Sequence, residues 1–408
     1  MNNNTIYKNS PIGKIPSDWC EIEFGEFVDL EKGKYVPVEN EDLKCLELEH
    51  FNQIDGSING WVNSSEQRST KNQYKKGQVL FGKLRPYLQK YWLTEFDGVC
   101  SSEVWVLNSR RNKCSNEFLF RLIQTHRFIQ VANVSSGSKM PRSDWHYVST
   151  FPFLLPPLPE QTRIAEVLST WDKAISNTQA TIEQVELRNK WLMQELLSGK
   201  RRLKGFSGEW KELKMKDVFD RVTRKNTENN TNVVTISAQR GFVRQTDFFN
   251  KNIASEITDS YFLVEKGEFC YNKSYSNGYP WGATKRLNDY KKAVVTTLYI
   301  CFKIKDLKLN SGDFFEHYFE RNSLDRGLTK IAHEGGRAHG LLNVTPSDYF
   351  DLKITIPDFK EQTAIAQVLQ AADKEVQVLR SKRDMLKEQK KGLMQVLLTG
   401  KKRLVVNG

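Results

Sequence analysis

The feature that most constrains this chain is a long internal repeat at a fixed offset of 201 residues. Glu160-Gln161-Thr162-Arg163-Ile164-Ala165-Glu166-Val167-Leu168 returns as Glu361-Gln362-Thr363-Ala364-Ile365-Ala366-Gln367-Val368-Leu369. Further on, Leu192-Met193-Gln194-Glu195-Leu196-Leu197-Ser198-Gly199-Lys200-Arg201-Arg202-Leu203 returns as Leu393-Met394-Gln395-Val396-Leu397-Leu398-Thr399-Gly400-Lys401-Lys402-Arg403-Leu404. Of the 44 positions from 160 to 203, 19 are identical in the second copy. Chance identity over such a span is about two or three, so the chain is a duplication and its fold must be built twice.

Both copies carry the spacing of a long helix. In the first, Ile164, Leu168, Trp171, Ile175, Thr178, Ile182, Val185, Asn189, Leu192 and Leu196 advance by alternating steps of four and three, a heptad seam. The second gives Ile365, Leu369, Ala372, Val376, Leu379, Arg383, Leu386, Lys390, Leu393 and Leu397. Prolines 156, 157 and 159 lead into the first run, and Asp358 with Glu361 forms a capping box for the second. Gly199 and Gly400 stand where a helix C-cap belongs. Some forty residues at about 1.5 Å each make a rod of roughly 60 Å. Two rods of equal length and shared seam are expected to pack on each other within one chain, with Asn189, Arg383 and Lys390 fixing register.

Segments 1–158 and 204–357 are each the size of one domain. Both hold short β-branched and aromatic runs broken by Gly, Asn and Asp, namely 78–81, 103–107, 268–271 and 293–302, which are expected as strands. Helices are expected at 116–133 and 313–333. Fainter correspondences lie at shifting offsets. Residues 15–19 match 206–210, residues 76–83 match 266–273, and Ser143-Asp144-Trp145 pairs with Ser347-Asp348-Tyr349. The last pairing makes the approach to the first helix three residues longer than the approach to the second. The expected order is therefore domain (1–158), helix (159–203), domain (204–357), helix (358–404) and a short tail (405–408).

Composition narrows the partner. The net charge of +12, with 9 Trp, 14 Tyr and 23 Phe, suits a polyanion. Counted along the repeat, 1–158 has 19 basic and 18 acidic residues, 159–203 has 7 and 6, 204–357 has 24 and 19, and 358–408 has 11 and 6. Ten of the twelve surplus charges thus fall in the second half, and a polyanion-binding face in the first domain has to be a local patch. No apolar run approaches a membrane span and the start is polar, so a soluble cytoplasmic protein is expected. The six cysteines show no Cys-x-x-Cys pair and are expected as small buried residues, with no disulfide framework and no structural zinc. The six histidines form no metal-ligand pattern, and no cofactor is implied.

The duplicated layout, the Pro-Leu-Pro-Glu-Gln segment at 157–161 with its partner at 357–362, and the Leu-Leu-Ser/Thr-Gly-Lys segments at 196–200 and 397–401 resemble the DNA-specificity subunits of type I restriction-modification systems. The resemblance covers nearly the whole chain. It implies an α+β fold in which two pseudo-symmetric target recognition domains are separated by two long antiparallel coiled-coil helices. It further implies that each domain reads half of an asymmetric bipartite site in double-stranded DNA. The helices would set the gap and dock two methyltransferase (modification) subunits, with restriction subunits joining the complex. The chain itself would be non-catalytic. Helix-pair and docking positions would then include Ile164, Leu168, Trp171, Ile175, Leu192, Leu196, Ile365, Leu369, Val376, Leu386, Leu393 and Leu397. Lys390 departs from the apolar or amide residue usual at its seam position.

Phosphate contact needs Lys or Arg, whereas base reading favours bidentate side chains on exposed loops. After the matched strands stand Lys83, Arg85 and Tyr87 in the first domain and Lys273, Tyr275 and Tyr279 in the second. Two glycine-bearing turns add Lys139 and Arg142, and Arg337 and His339. These ten residues are the candidate DNA contacts. Gly77-x4-Gly82-Lys83 has the spacing of a phosphate loop, but Leu84 stands where Ser or Thr must hold magnesium and Val79-Leu80-Phe81 is expected as strand. Two other classes remain open: an enzyme with its own nucleotide-dependent activity, tested by ATP binding and its loss at Lys83, and a coiled-coil interaction scaffold without sequence-specific DNA binding, tested by salt-dependent duplex binding.

Overall fold

The computed structural model describes residues 6–11, 13–134, 140–245, 258–334 and 342–404. Its mixed α+β chain resolves into two compact units. The first comprises Met1–Ala180 with Ser381–Gly408, and the second Thr181–Arg380. Two helices of 39 residues each, Leu158–Leu196 and Phe359–Leu397, run through the chain, and each contributes one half to each unit.

In the first unit the two helix halves are antiparallel: Asp172 pairs with Lys390 at 2.5 Å, and Arg383 donates to Gln179 at 2.9 Å. In the second, Arg188 meets Glu375 and Arg380 meets Glu186, both at 2.6 Å, around an apolar knot of Ile182, Val185, Val376 and Leu379. The expected register residues perform that role. The Asn189 amide donates to the Ala372 carbonyl at 2.8 Å, a bond only one helix alignment satisfies. Both helices stop where glycine allows it. Gly199 and Gly400 each take φ +70°, and the amides of Arg201 and Lys402 bond back to the carbonyls of Glu195 and Val396. Asp358 caps the second helix through the Glu361 amide at 2.9 Å. The reciprocal half of the expected capping box is missing because the Glu361 carboxylate is held by Arg202 instead.

The two units share a four-stranded antiparallel sheet. In the first its order is Tyr91–Leu93, Val79–Gly82, Val104–Ser109, Val28–Leu30, and in the second Ala283–Arg286, Phe269–Asn272, Ile300–Ile304, Phe219–Arg221. One face of each sheet packs on short helices and on the long-helix ends. Phe81, Trp105 and Phe128 meet Ile164, Leu168 and Leu397 in the first unit. Phe269, Phe302 and Phe319 meet Leu196, Ile365 and Leu369 in the second. The first unit adds a five-stranded sheet, ordered Lys34–Tyr35, Lys71–Tyr74, Gly98–Cys100, Lys44–Leu46, Val62–Asn63.

Several expectations need correction. The helix expected over 116–133 is two, Asn116–Leu122 and His126–Ala132, because the Thr125 hydroxyl accepts the Phe128 amide and starts a new helix. That over 313–333 is likewise Gly312–Glu320 and Asp325–Ile331, broken at Asn322, which takes φ +59°. The run 293–302 is two strands, Lys292–Val295 and Ile300–Ile304. The three-residue lengthening before the first long helix does not exist. Trp145–Ser149 and Pro346–Phe350 are equivalent five-residue helices, capped by Asp144 and Thr345, so the offset of 201 already holds there. Asp and Thr both serve as helix N-caps, and this disguised the correspondence. Five cysteines are buried as expected, but Cys20 is exposed. Among the described residues no helix is long and apolar enough to cross a membrane.

Asp325 opens a helix from a half-buried position, and burial raises its carboxyl from 3.8 to about 6. A carboxyl raised on folding favours the native state below its unfolded pKa, and that advantage is lost as pH rises through the folded value. Asp325→Asn is therefore expected to raise the thermal midpoint above pH 6 and leave it unchanged near pH 4, measured by circular dichroism across that range.

Candidate nucleic-acid interface

The residues that carry the sequence repeat build the frame of each unit. Glu160 is buried in the first turn of the first long helix, where it accepts from the Trp19 indole at 3.0 Å and from Arg403, just past the end of the second long helix, at 2.7 Å. Arg403 also grips Asp18 at 2.8 Å, and the hydrogen bonds from Arg403 hold the Asp18 carboxyl below its usual range. The second unit repeats the arrangement with the partners exchanged. Glu361, buried at the start of the second long helix, is held by Arg202, past the end of the first, through two bonds of 2.6 Å. The glycine caps complete both clamps. A Cβ on Gly400 would lie 2.5 Å from Pro16 and against Trp19, and one on Gly199 would lie 3.3 Å from Trp210.

The neighbouring glutamines fasten the sheet-bearing part of each unit to this frame. Gln161 donates to the Lys113 and Pro156 carbonyls at 2.9 Å and accepts from the Ser115 amide at 3.1 Å. Gln362 donates to the Pro357 carbonyl at 2.9 Å and accepts from the Ser311 amide at 2.8 Å. Ser115 and Ser311 cap equivalent helices. The Glu-Gln pair is thus a structural joint, made twice.

On that shared frame the loops after the matched strand differ. In the first unit, residues 83–90 are laced to two other segments. The Leu84 and Arg142 backbones bridge, the Arg85 amide bonds to the Pro141 carbonyl at 2.8 Å, and the Ile54 amide bonds to the Gln89 carbonyl at 3.0 Å. Arg85 and Tyr87 are exposed and Lys83 is half-buried. Arg142 is already paired with Glu103 at 3.0 Å, so reaching a phosphate requires it to exchange partners. The strand Val79–Gly82 has its backbone committed to the sheet on both sides, and the Gly82 amide bonds to the Lys90 carbonyl at 2.8 Å. No exposed amides remain there to cradle a nucleotide phosphate.

In the second unit the corresponding loop follows Asn272. Lys273 is half-buried, its carbonyl accepts the Leu342 amide at 3.0 Å, and burial lowers its ammonium pKa. Tyr275 is exposed. Tyr279 instead faces inward, donating its hydroxyl to Glu320, with Lys285 over its ring, and burial pushes the phenol up. The loop tip is held by Gln239, which donates to the Asn277 carbonyl at 2.9 Å, and by Asn322, which donates to the Gly278 carbonyl at 2.9 Å. Lys139, Arg337 and His339 lie outside the described residues. Sequence reasoning missed Ile54 and Gln89 in the first unit and Gln239 in the second. Only hydrogen bonds between distant segments reveal them, through the backbone for Ile54 and Gln89 and through the side chain for Gln239.

The helix positions named from the seam are buried at Ile164, Leu168, Leu196, Ile365, Leu369, Val376 and Leu397, and half-buried at Trp171, Ile175, Leu192, Leu386 and Leu393. Among the described residues no group of three His, Cys, Asp or Glu is placed to hold a metal ion.

A frame made twice and fitted with unlike loops makes this a duplicated chain of two units. Residues 16–187 match the family described as type I restriction modification DNA specificity domain. Over nearly its whole length the chain is similar to specificity subunits of type I restriction-modification systems. It is 28% identical over 189 residues to the type I restriction enzyme EcoDI specificity subunit of Escherichia coli, spanning 44% of this chain and 42% of that one. It is 22% identical over 430 residues to the MjaVIII specificity subunit of Methanocaldococcus jannaschii, spanning 96% of this chain and 94% of that one. The fold is shared with the HsdS subunit from Thermoanaerobacter tengcongensis, with a TM-score of 0.54 at 18% identity over 96% of this chain and 100% of that one. It is shared also with the type I restriction-modification S subunit from M. genitalium, with a TM-score of 0.53 at 13% identity over 97% of each chain.

Proposed function

We propose that the chain reads an asymmetric, interrupted site in double-stranded DNA, each unit contacting one half-site through the loops after its matched strand. The observation that carries this reading is the duplicated clamp. Glu160 with Arg403 and Glu361 with Arg202 hold two frames of the same strand order, while loops 83–90 and 273–282 share neither sequence nor lacing. Two unlike readers on one chain suit two unlike half-sites, where a homodimer would require a palindrome. The domain boundaries follow as 1–158 and 204–357, with the long helices at 159–203 and 358–404 setting the gap. The helices also dock two methyltransferase subunits, restriction subunits join the assembly, and the chain itself performs no chemistry.

Methylome sequencing of cells with and without the gene tests the reading, because it returns both half-sites and the gap together. A single interrupted motif that disappears with the gene is expected. If the purified chain with its methyltransferase partner shows no sequence preference on duplex DNA, the reading fails.

A further inference from the structure

Backbone strain in this protein is concentrated in one place. Among the described residues six non-glycine positions have left-handed φ: Asn40, Ile54, Arg85, Gln89, Asn229 and Asn322. Asparagine tolerates that region, whereas Arg and Gln adopt it seldom, and a β-branched residue there is a genuine outlier. Ile54 (φ +72°), Arg85 (φ +52°) and Gln89 (φ +52°) all sit in a single loop pair of the first unit. Strain of this kind persists only where the surroundings enforce it, and it gathers at functional sites.

The enforcement is visible. The Ile54 amide bonds to the Gln89 carbonyl, the Tyr91 hydroxyl donates to the Ile54 carbonyl, and Gln53 bridges to Lys90. Gly56, at φ +75°, lets the turn lie on the core, since a Cβ there would meet Phe120 at 2.8 Å. The Asp55 carboxylate is turned into the loop, accepting the Ser57 amide at 2.9 Å and hydroxyl at 2.7 Å. The Ile54 side chain, in contrast, is 64% exposed, in a loop pair that also exposes Arg85 and Tyr87. A folded chain gains nothing from holding an isoleucine in a strained conformation and pointing it into water.

We infer that Ile54 is a base-reading residue of the first unit, its side chain set against the methyl group of a thymine, with Arg85 and Gln89 supplying polar contacts beside it. The inference rests on the DNA-reading function proposed above and assigns one of its contacts. An aliphatic side chain finds one apolar feature on base edges in the major groove, the thymine methyl, while Arg and Gln match guanine and adenine. The enforced backbone fixes where the three side chains leave the loops before DNA arrives, so little backbone freedom is lost on binding.

The test uses the full chain with its methyltransferase partner and duplexes carrying its site, with each thymine of the first half-site replaced in turn by deoxyuridine. Wild type is expected to lose about fourfold in affinity at one thymine, the worth of one buried methyl. Ile54→Val keeps that dependence. Ile54→Asn binds the native duplex more weakly, no longer distinguishes thymine from deoxyuridine, and melts at a temperature at least as high as wild type, because asparagine suits the left-handed backbone. Stability and affinity moving in opposite directions is a result that a purely structural residue would not give. Ile54→Asn retaining the wild-type thymine dependence overturns the assignment, as does a wild type indifferent to every deoxyuridine while still selecting its site. A wild type with no sequence preference at all overturns the DNA-reading function itself, and the assignment with it.

Discussion

Replacing Arg403 by alanine is expected to destabilise the first unit by about 3–5 kcal/mol, the cost of leaving a buried carboxylate without its cation. Glu160 is 2% exposed and has two partners, the Trp19 indole and Arg403. Removing the guanidinium strips away the charged one, and water cannot replace it at that depth. Asp18 loses its partner too, but it is half exposed and contributes little. Hydrogen exchange should localise the loss to the strand Cys20–Glu23, its partner Pro152–Leu155 and the first turns of the Leu158–Leu196 helix. Adding Glu160→Gln to Arg403→Ala should restore most of the stability, since the amide oxygen still accepts from Trp19 and no charge remains buried. A single variant as stable as wild type would show that the clamp does not hold the unit together. Arg202→Ala is expected to do the same to the second unit. There the Trp210 indole nitrogen is buried without a hydrogen-bond partner, so Glu361 depends on Arg202 still more.

The long helices were legible because they obey a rule that depends on local spacing alone, apolar residues at steps of three and four with glycine at the stop. Duplication doubled that signal. Glu160, Gln161, Arg202 and their second copies were visible as repeated residues, but their pairing was not. The carboxylate at the start of one helix meets the arginine beyond the end of the other, and only the antiparallel fold brings them together. The sheet-bearing parts of the two units were legible as strand runs and no further, since register and sheet order are set by contacts between distant segments. The candidate contact loops were the least legible. Their candidates were chosen by residue type, so Tyr279, folded inward on Glu320, was indistinguishable in sequence from exposed Tyr275. Ile54 offered no signal, because an isoleucine between Gln53 and Asp55 reads as ordinary strand or core, and its left-handed backbone is imposed by residues 89 and 91.

Identical residues in the repeat are also expected to differ in energetic weight, and Asp172 with Asp373 provides the sharpest case. The first unit's Asp172 joins two cations from different elements, Arg121 of the helix Asn116–Leu122 and Lys390 of the second long helix. Arg121 is 6% exposed, and its Nε already lacks a partner. Asp172→Ala would leave two positive charges facing each other in a largely dry seam, costing about 3–5 kcal/mol. In the second unit the same position, Asp373, faces His317 at 3.8 Å, and Asn189 replaces the lysine on the opposing helix. Desolvation raises the Asp373 carboxyl, so its charged form is not strongly held, and its side chain stays half exposed. Asp373→Ala should therefore cost under about 1 kcal/mol. Chemical denaturation of the two variants reads the contrast directly, and equal losses would refute it. Arg121→His with Lys390→Asn, which rebuilds the second unit's pairing around Asp172, should bring the cost of a subsequent Asp172→Ala down to that of Asp373→Ala. The duplication then holds as geometry while the charges within it have diverged, and the double substitution measures how far.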